Sequence, residues 1–156
     1  MLRSKKGIIP LVATLLLIAL AVILGAVVLN FSQAQLEVTA RCSVDIGLKM
    51  VNLNNKPQVC FDRATNQLFA IVENGPQLPI VGLRLRIIGE KEIFVQDIPE
   101  SGMDKDGVLL KYVAYDPNSY GEIKQVRFTP KVSLYDEEVV CSEQALTLEP
   151  IRDCEK

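Results

Sequence analysis

The sequence contains no histidine and no tryptophan. Without histidine the chain cannot build a Ser-His-Asp triad, use an imidazole as a general base or bind a metal through imidazole nitrogens. The glycine-rich runs of a P-loop or of a dinucleotide-binding fingerprint do not occur either. Because histidine and these cofactor-binding motifs are missing, we predict a protein that is not an enzyme, with no catalytic residue, no cofactor and no metal ligand.

Charged residues are also absent from Gly7 to Leu36. Arg3, Lys5 and Lys6 precede this gap without any acid, which leaves residues 37–156 with a net charge of −5 within the overall −2. An acidic domain argues against nucleic acid as a partner, since neutralising phosphates requires clustered Lys and Arg. The chain therefore combines a basic tip, an apolar segment and a mildly acidic domain.

The charge-free gap contains an apolar run, residues 8–29, that is long enough to span a membrane. As a helix it would be roughly 33 Å long, which matches the thickness of the hydrocarbon core of a bilayer. Because the basic residues precede the run, the positive-inside rule places the N-terminus in the cytoplasm and the acidic domain outside the cell. The residues predicted to face the membrane are Ile8, Pro10, Leu11, Val12, Leu15, Leu16, Ile18, Leu20, Ile23, Leu24, Val27 and Val28.

Three interpretations of this segment compete. A secretory signal peptide has an apolar core of about 7–15 residues, which this run exceeds, although Ser32-Gln33-Ala34 offers a small-residue cleavage site. An uncleaved signal anchor fits both the length and the charges. The third interpretation depends on Gly7, which stands between the basic pair and the apolar run.

The order Lys5-Lys6-Gly7-Ile8-Ile9-Pro10-Leu11-Val12-Ala13-Thr14 resembles the class III signal peptide of type IV pilin-like proteins, in particular archaeal pilins and archaellin-like proteins. In that family a membrane peptidase cuts after the glycine on the cytoplasmic side, so the apolar helix stays on the mature protein. Bacterial members carry glutamate at the fifth mature position, which is Val12 here. The archaeal branch is therefore the better match.

The resemblance implies a leader of residues 1–7, cleaved between Gly7 and Ile8. The basic residues of this leader are Arg3, Lys5 and Lys6. Residues 8–40 would form the membrane and polymerisation helix with its stalk, and residues 41–156 the extracellular domain. In the family, the retained helices pack into the core of a filament that the outer domains coat.

From these implications we expect a structural subunit of an extracellular type IV pilus-like filament, with a role in adhesion or surface attachment. Its partners would be other copies of the chain in a helical homo-oligomer, the prepilin peptidase and the pilus assembly machinery. The membrane would hold the chain before assembly. The alternative is a single-pass, membrane-anchored β-sandwich that binds a ligand and never polymerises.

Behind the apolar segment, from about Ser43, the hydrophobic period changes from that of a helix to two. The clearest alternation is in residues 81–87, where apolar residues alternate with Gly82, Arg84 and Arg86. Roughly seven or eight short strands predict an antiparallel immunoglobulin-like β-sandwich, so the fold class is α+β. The predicted strands are 44–50, 68–72, 81–87, 92–96, 108–114, 123–129, 132–134 and 145–148.

The domain contains four cysteines, and an even number outside the membrane favours disulfides. Of the three pairings that four cysteines allow, we predict Cys42–Cys60 and Cys141–Cys154. This pairing closes short loops at the two ends of the domain, where fraying begins. A tetrathiolate zinc site is the alternative, and the absence of any Cys-x-x-Cys pair argues against it.

Two charged clusters have competing interpretations. Arg84, Arg86 and Arg127 predict a basic stripe on an outer sheet face, either as ordinary surface charge or as a surface that pairs with acids of a neighbouring subunit. Residues 104–107 resemble a calcium loop only faintly, because the later glutamate and the alternating oxygen ligands are missing. We interpret them as a hairpin turn.

Processing of the leader provides the first test. We expect Gly7→Val to block cleavage, because the peptidase of the resembling family cuts after this glycine, whereas an uncleaved anchor would be unaffected. N-terminal sequencing of the membrane-extracted protein should find Ile8 as the first residue of the unaltered chain. A start at Met1 or Leu2 would contradict the resemblance, and a start at Gln35 would indicate a secreted domain.

Overall fold

The computed structural model describes residues 8–43, 46–134 and 136–154. Its first element is the helix α1 (Ile8–Ser43), which is 36 residues long. Pro10 lies in the first turn, where its missing N–H removes no intrahelical hydrogen bond, and no other proline follows within the helix. The predicted N-terminal hydrophobic helix is therefore confirmed.

The chain divides into two compact units, Met1–Thr39 and Ala40–Lys156. The first unit contains most of α1, and the second contains its last residues and all the strands. A short helix, α2 (Pro117–Tyr120), and a single 3-10 turn (Ser142–Gln144) connect strands. The strands are β1 (Lys49–Met50), β2 (Asn52–Leu53), β3 (Lys56–Pro57), β4 (Val59–Asp62), β5 (Gln67–Glu73), β6 (Gly82–Gly89), β7 (Ile93–Ile98), β8 (Val108–Ala114), β9 (Ile123–Leu134), β10 (Glu137–Val140), β11 (Leu146–Leu148) and β12 (Arg152–Asp153).

The first sheet is arranged around β5, which pairs along its whole length with β8 and, at its other edge, with β4 and β1. Between β1 and β4 the chain makes the small hairpin β2–β3. Strand β12 extends this sheet by pairing with β4 in parallel, whereas every other pairing among the described strands is antiparallel. The prediction of a mostly antiparallel β domain is confirmed.

The second sheet is arranged around β9, which pairs with β6 at one edge and with β11 and β10 at the other, while β7 pairs with the far edge of β6. The predicted segments 123–129 and 132–134 join into this one strand of 12 residues. Pro130 falls where the neighbouring strand changes from β11 to β10, an interruption of the ladder that suits a residue without an N–H.

Of the other predicted strands, 108–114 coincides with β8, the rest are present with shifted ends, and several strands were missed. Within the predicted strand 44–50 only β1 forms, and residues 44–45 lie outside the described residues. Strands β2, β3, β4, β10 and β12 were not predicted. All five are two to four residues long, so too few side chains are present for alternation to be recognised.

Both sheets contribute to one hydrophobic core. Leu68 and Val72 of β5 and Leu85 of β6 are at most 2% exposed, as is Phe128 of β9. Fully burying a side chain of this size contributes about 1.5–3 kcal/mol each. The alternation seen in the sequence thus separates the core face of each sheet from an outer face that is available for binding.

The predicted disulfide pairing, Cys42–Cys60 and Cys141–Cys154, is wrong. Cys42 is bonded to Cys141 and Cys60 to Cys154, with Cα–Cα distances of 5.2 and 4.9 Å. The end of the chain returns to pair in parallel with β4, where Arg152 lies opposite Cys60, and this pairing carries Cys154 to Cys60. Cys141 follows β10 and is buried in the core with Cys42. Both bridges therefore depend on long-range pairing rather than on closeness in sequence.

The stability of the domain tests this pairing. The bridges span 99 and 94 residues, and loops of this length correspond to about 4–5 kcal/mol each in the chain-entropy model. We expect the double variant Cys42→Ser/Cys141→Ser to lower the free energy of unfolding by about 4 kcal/mol in denaturant titration. A non-reducing peptide map of the variant should still contain the Cys60–Cys154 bridge. A Cys42–Cys60 peptide in the unaltered protein would contradict the structure.

Candidate functional site

The first candidate site is the apolar surface of α1. The span Val12–Gln33 has 22 residues and a mean hydropathy of 3.0, and none of it is buried. Its large apolar side chains are between 47% exposed at Val12 and 66% exposed at Leu16. Charged residues are absent from every side of this span, so no polar face is present to meet water.

The structure places the predicted helix residues on this surface. The side chains that it describes as exposed are those of Val12, Leu15, Leu16, Ile18, Leu20, Ile23, Leu24, Val27 and Val28. Ile8, Pro10 and Leu11 lie in α1, but the surroundings of their side chains are outside the description. The leader residues Arg3, Lys5, Lys6 and Gly7 lie outside the described residues, so the cleavage position stays a prediction.

The helix is longer than a bilayer requires. Its 36 residues correspond to roughly 54 Å, whereas the hydrocarbon core is about 30 Å thick. Beyond Leu29 the helix contains the polar residues Asn30, Ser32 and Gln33. It also contains the apolar residues Phe31 and Leu36, whose side chains are both 66% exposed. This half-polar continuation suits the water boundary of a membrane.

A second candidate site is a cavity of about 660 Å³ on the outer face of the first sheet. Phe69 of β5 and Tyr112 of β8 are directly opposite one another, and their ring centroids are 5.1 Å apart at a tilt of 44°. Tyr112 is 60% exposed. These rings form an apolar platform, and the hairpin β2–β3 contributes Leu53 and Lys56 to the lining.

Polar groups surround the platform. The half-buried Gln67 makes no side-chain hydrogen bond with any described residue, so its amide is available to a ligand. The Gln58 amide donates to the Lys56 carbonyl at 3.0 Å, and Asp62 accepts from the backbone N–H of Ala64 at 2.8 Å. Sequence analysis missed this site. The alternation of each strand shows that β5 and β8 both have an aromatic residue on the outer face, but it does not show that the two residues are cross-strand partners.

The third candidate site is the predicted basic stripe. Arg84 and Arg86 of β6 and Arg127 of β9 line one groove of about 190 Å³ on the outer face of the second sheet. Arg84 is paired with Asp97 of β7 through two hydrogen bonds of 2.7 and 3.1 Å. Arg86 lies directly opposite Arg127 across the ladder.

An ion network crosses four strands beside this groove. Lys131, whose side chain is 11% exposed, donates to Asp97 at 2.9 Å and to Glu138 at 2.9 Å. The hydrogen bonds from Arg84 and then from Lys131 hold the pKa of Asp97 well below its usual value of 3.8. The same contacts raise the pKa values of Arg84 and Lys131. The network therefore keeps Asp97, Arg84 and Lys131 charged at neutral pH.

Residues 104–107 form a turn, as the sequence predicted. The Gly107 N–H donates to the carbonyl of Asp104 at 3.1 Å, and Asp106 has a φ of 56°. Among the described residues, no group of three or more His, Cys, Asp or Glu side chains is arranged to hold a metal ion.

Comparisons with known proteins give no relative for this arrangement. No protein-family model matches the chain, and neither the curated proteins nor the solved structures contain a match to it. The three sites are therefore interpreted from their own geometry.

Acid should weaken the domain through Asp97. Because folding lowers its pKa below 3.8, the carboxylate stabilises the fold above about pH 4, and this contribution is lost as the pH falls further. We expect Asp97→Asn to lower the free energy of unfolding at pH 7 by about 1 kcal/mol, since the pair is partly exposed to solvent. The variant should also lose less stability than the unaltered protein between pH 5 and pH 2, measured by urea titration.

The control for this experiment is Asp153→Asn, which removes an exposed partner of Arg63 at 2.9 Å. This control should retain the acid sensitivity of the unaltered domain. Equal pH dependence in Asp97→Asn and the unaltered protein would show that the network does not carry the effect.

Proposed function

We propose that this protein is a structural subunit of an extracellular pilus-like filament, held in the membrane before assembly and polymerised through α1. The observation that carries the proposal is the exposed, uncharged span Val12–Gln33. It agrees with the class III leader that residues 1–7 resemble, after whose removal the helix remains on the mature chain. Prepilin peptidase and pilus assembly machinery are the partners that this resemblance implies.

Only two surroundings can cover such a helix. Lipid is the first, because an α-helix satisfies its own backbone hydrogen bonds inside hydrocarbon. Outside the membrane, each large apolar side chain costs about 1.5–3 kcal/mol when fully exposed to water, so the helix must be covered by other apolar surfaces. Other copies of α1 supply these surfaces. Gly25, beside which there is open space, allows neighbouring helices to approach closely.

The second unit supports a position outside the cell. Its two disulfides belong to oxidising compartments, and its net negative charge favours solubility. We infer that it is an immunoglobulin-like sandwich. In support, β4, β5 and β8 are neighbours in one sheet and β7, β6, β9 and β10 in the other, and both sheets share one core. The chain passes between the sheets after β5, β7, β8 and β11.

The cavity at Phe69 and Tyr112 favours a second candidate function, that of an anchored binding module. Its volume is typical of ligand sites, and it combines an apolar platform with a few hydrogen-bonding groups. A ligand with one apolar face and hydrogen-bonding edges fits this lining. In this case α1 is an anchor, and no filament is formed.

Shearing experiments distinguish the two functions. The full-length protein is produced in an archaeal host that has its own pilus machinery. We expect to find it in fibres that can be sheared from the cells and sedimented, and the subunits of these fibres should have Ile8 as their N-terminal residue. Val22→Asp should abolish fibres, because a carboxylate in the middle of an apolar helix costs about 2.5–3.5 kcal/mol. Leu53→Asp is the matched control, since Leu53 is 58% exposed and lies in the domain. Unaltered protein found only in the membrane pellet would overturn the filament and favour the binding module.

A further inference from the structure

The outer face of the second sheet contains an unusual arrangement of like charges. Arg86 of β6 and Arg127 of β9 are direct cross-strand partners. Residues in this position have Cβ atoms about 4.5–5.5 Å apart, and like charges placed there destabilise a sheet. Some other interaction is needed to explain why two guanidinium groups share this position.

Acids within the sheet do not neutralise the pair. Asp97 is engaged by Arg84 and Lys131, and Glu138 by Lys131. Arg86 makes no hydrogen bond or ion pair with any described residue, and the described lining of the groove contains no carboxylate. The residues of that lining are Arg84, Arg86, Val95, Arg127, Thr129, Val140 and Ser142. The groove therefore has an excess of positive charge.

The guanidinium of Arg127 is held in place by one hydrogen bond, but not all of its N–H donors have an acceptor. One Nη donates to the carbonyl of Ser142 at 2.6 Å, which fixes the plane of the guanidinium. Its Nε is buried and has no hydrogen-bond partner within the described chain. Leaving a charged donor buried and unpaired is costly, because the group has lost its water without gaining an acceptor.

We propose that Arg86 and Arg127 form a carboxylate-binding site that accepts an acidic side chain from a second copy of this chain. Guanidinium groups bind carboxylates through parallel N–H···O bonds, which the exposed guanidinium of Arg86 can supply while Arg127 adds a second positive charge. The groove, of about 190 Å³, suits a side-chain carboxylate rather than a large ligand. A second copy fits by charge, because residues 37–156 carry a net charge of −5. The identity of this partner rests on the proposed function, which brings copies side by side.

Cross-linking tests the site directly. Arg86→Lys keeps the positive charge and supplies an amine that carbodiimide joins to a carboxylate in contact with it. Full-length protein with this substitution is purified in detergent as an equal mixture of ¹⁴N- and ¹⁵N-labelled copies. We expect mass spectrometry to find residue 86 joined to an acidic peptide of the other isotope. Cross-links confined to a single copy, or none at residue 86, would overturn the proposal.

Self-association provides the quantitative test. Arg86→Gln/Arg127→Gln should weaken association of the full-length protein in detergent by about 10- to 100-fold at low salt. Lys105→Gln/Lys111→Gln, which removes the same charge elsewhere on the domain, should change it little. The single variant Arg86→Gln should melt no lower than the unaltered protein, because it relieves repulsion across the ladder and leaves the hydrogen bond from Arg127 to Ser142 intact. Unchanged association would overturn the proposal.

Two further outcomes identify which idea has failed. If 10 mM inorganic phosphate raises the melting temperature only when both arginines are present, but no cross-link between copies forms, the groove binds free anions and the second copy is the wrong source. If fibres are absent while cross-links between detergent-solubilised copies form, the filament is wrong and the carboxylate site stands.

Discussion

The exposed apolar surface of α1 is the constraint on which the organisation of the molecule depends. Over Ile8–Leu36 this helix has no charged residue, and over Val12–Gln33 it is unburied, so exposing it to water is unfavourable. Our proposal that lipid or similar helices cover it follows from this constraint. The domain that follows is acidic and has its own hydrophobic core. One chain therefore joins an apolar helix to a domain with a charged surface.

Among the residues whose burial the structure describes, the hydrophobic core is built within the second unit. The buried cluster begins at Cys42, in the last turn of α1, and every other member lies further along the chain. The Cys42–Cys141 and Cys60–Cys154 bridges both lie within this second unit.

The two sheets present different chemistry to the outside. The first has an aromatic platform, Phe69 and Tyr112, beside polar side chains. The second has the opposed pair Arg86 and Arg127, next to a network in which Asp97 is already engaged. One face therefore suits a ligand with an apolar surface and the other a carboxylate.

Local patterns in the sequence determined the α+β class, the apolar helix, the core face of β6 and the position of Arg84 and Arg86 on its outer face. These properties depend on neighbours one to four residues apart, which the sequence displays directly. Only the tertiary structure decided the disulfide pairing, the contact of Phe69 with Tyr112 and the opposition of Arg86 to Arg127. Each depends on the register between strands that are distant in the chain. The pairing of β12 with β4 and the alignment of β6 with β9 produce no local pattern in the sequence, so they could not be predicted from it.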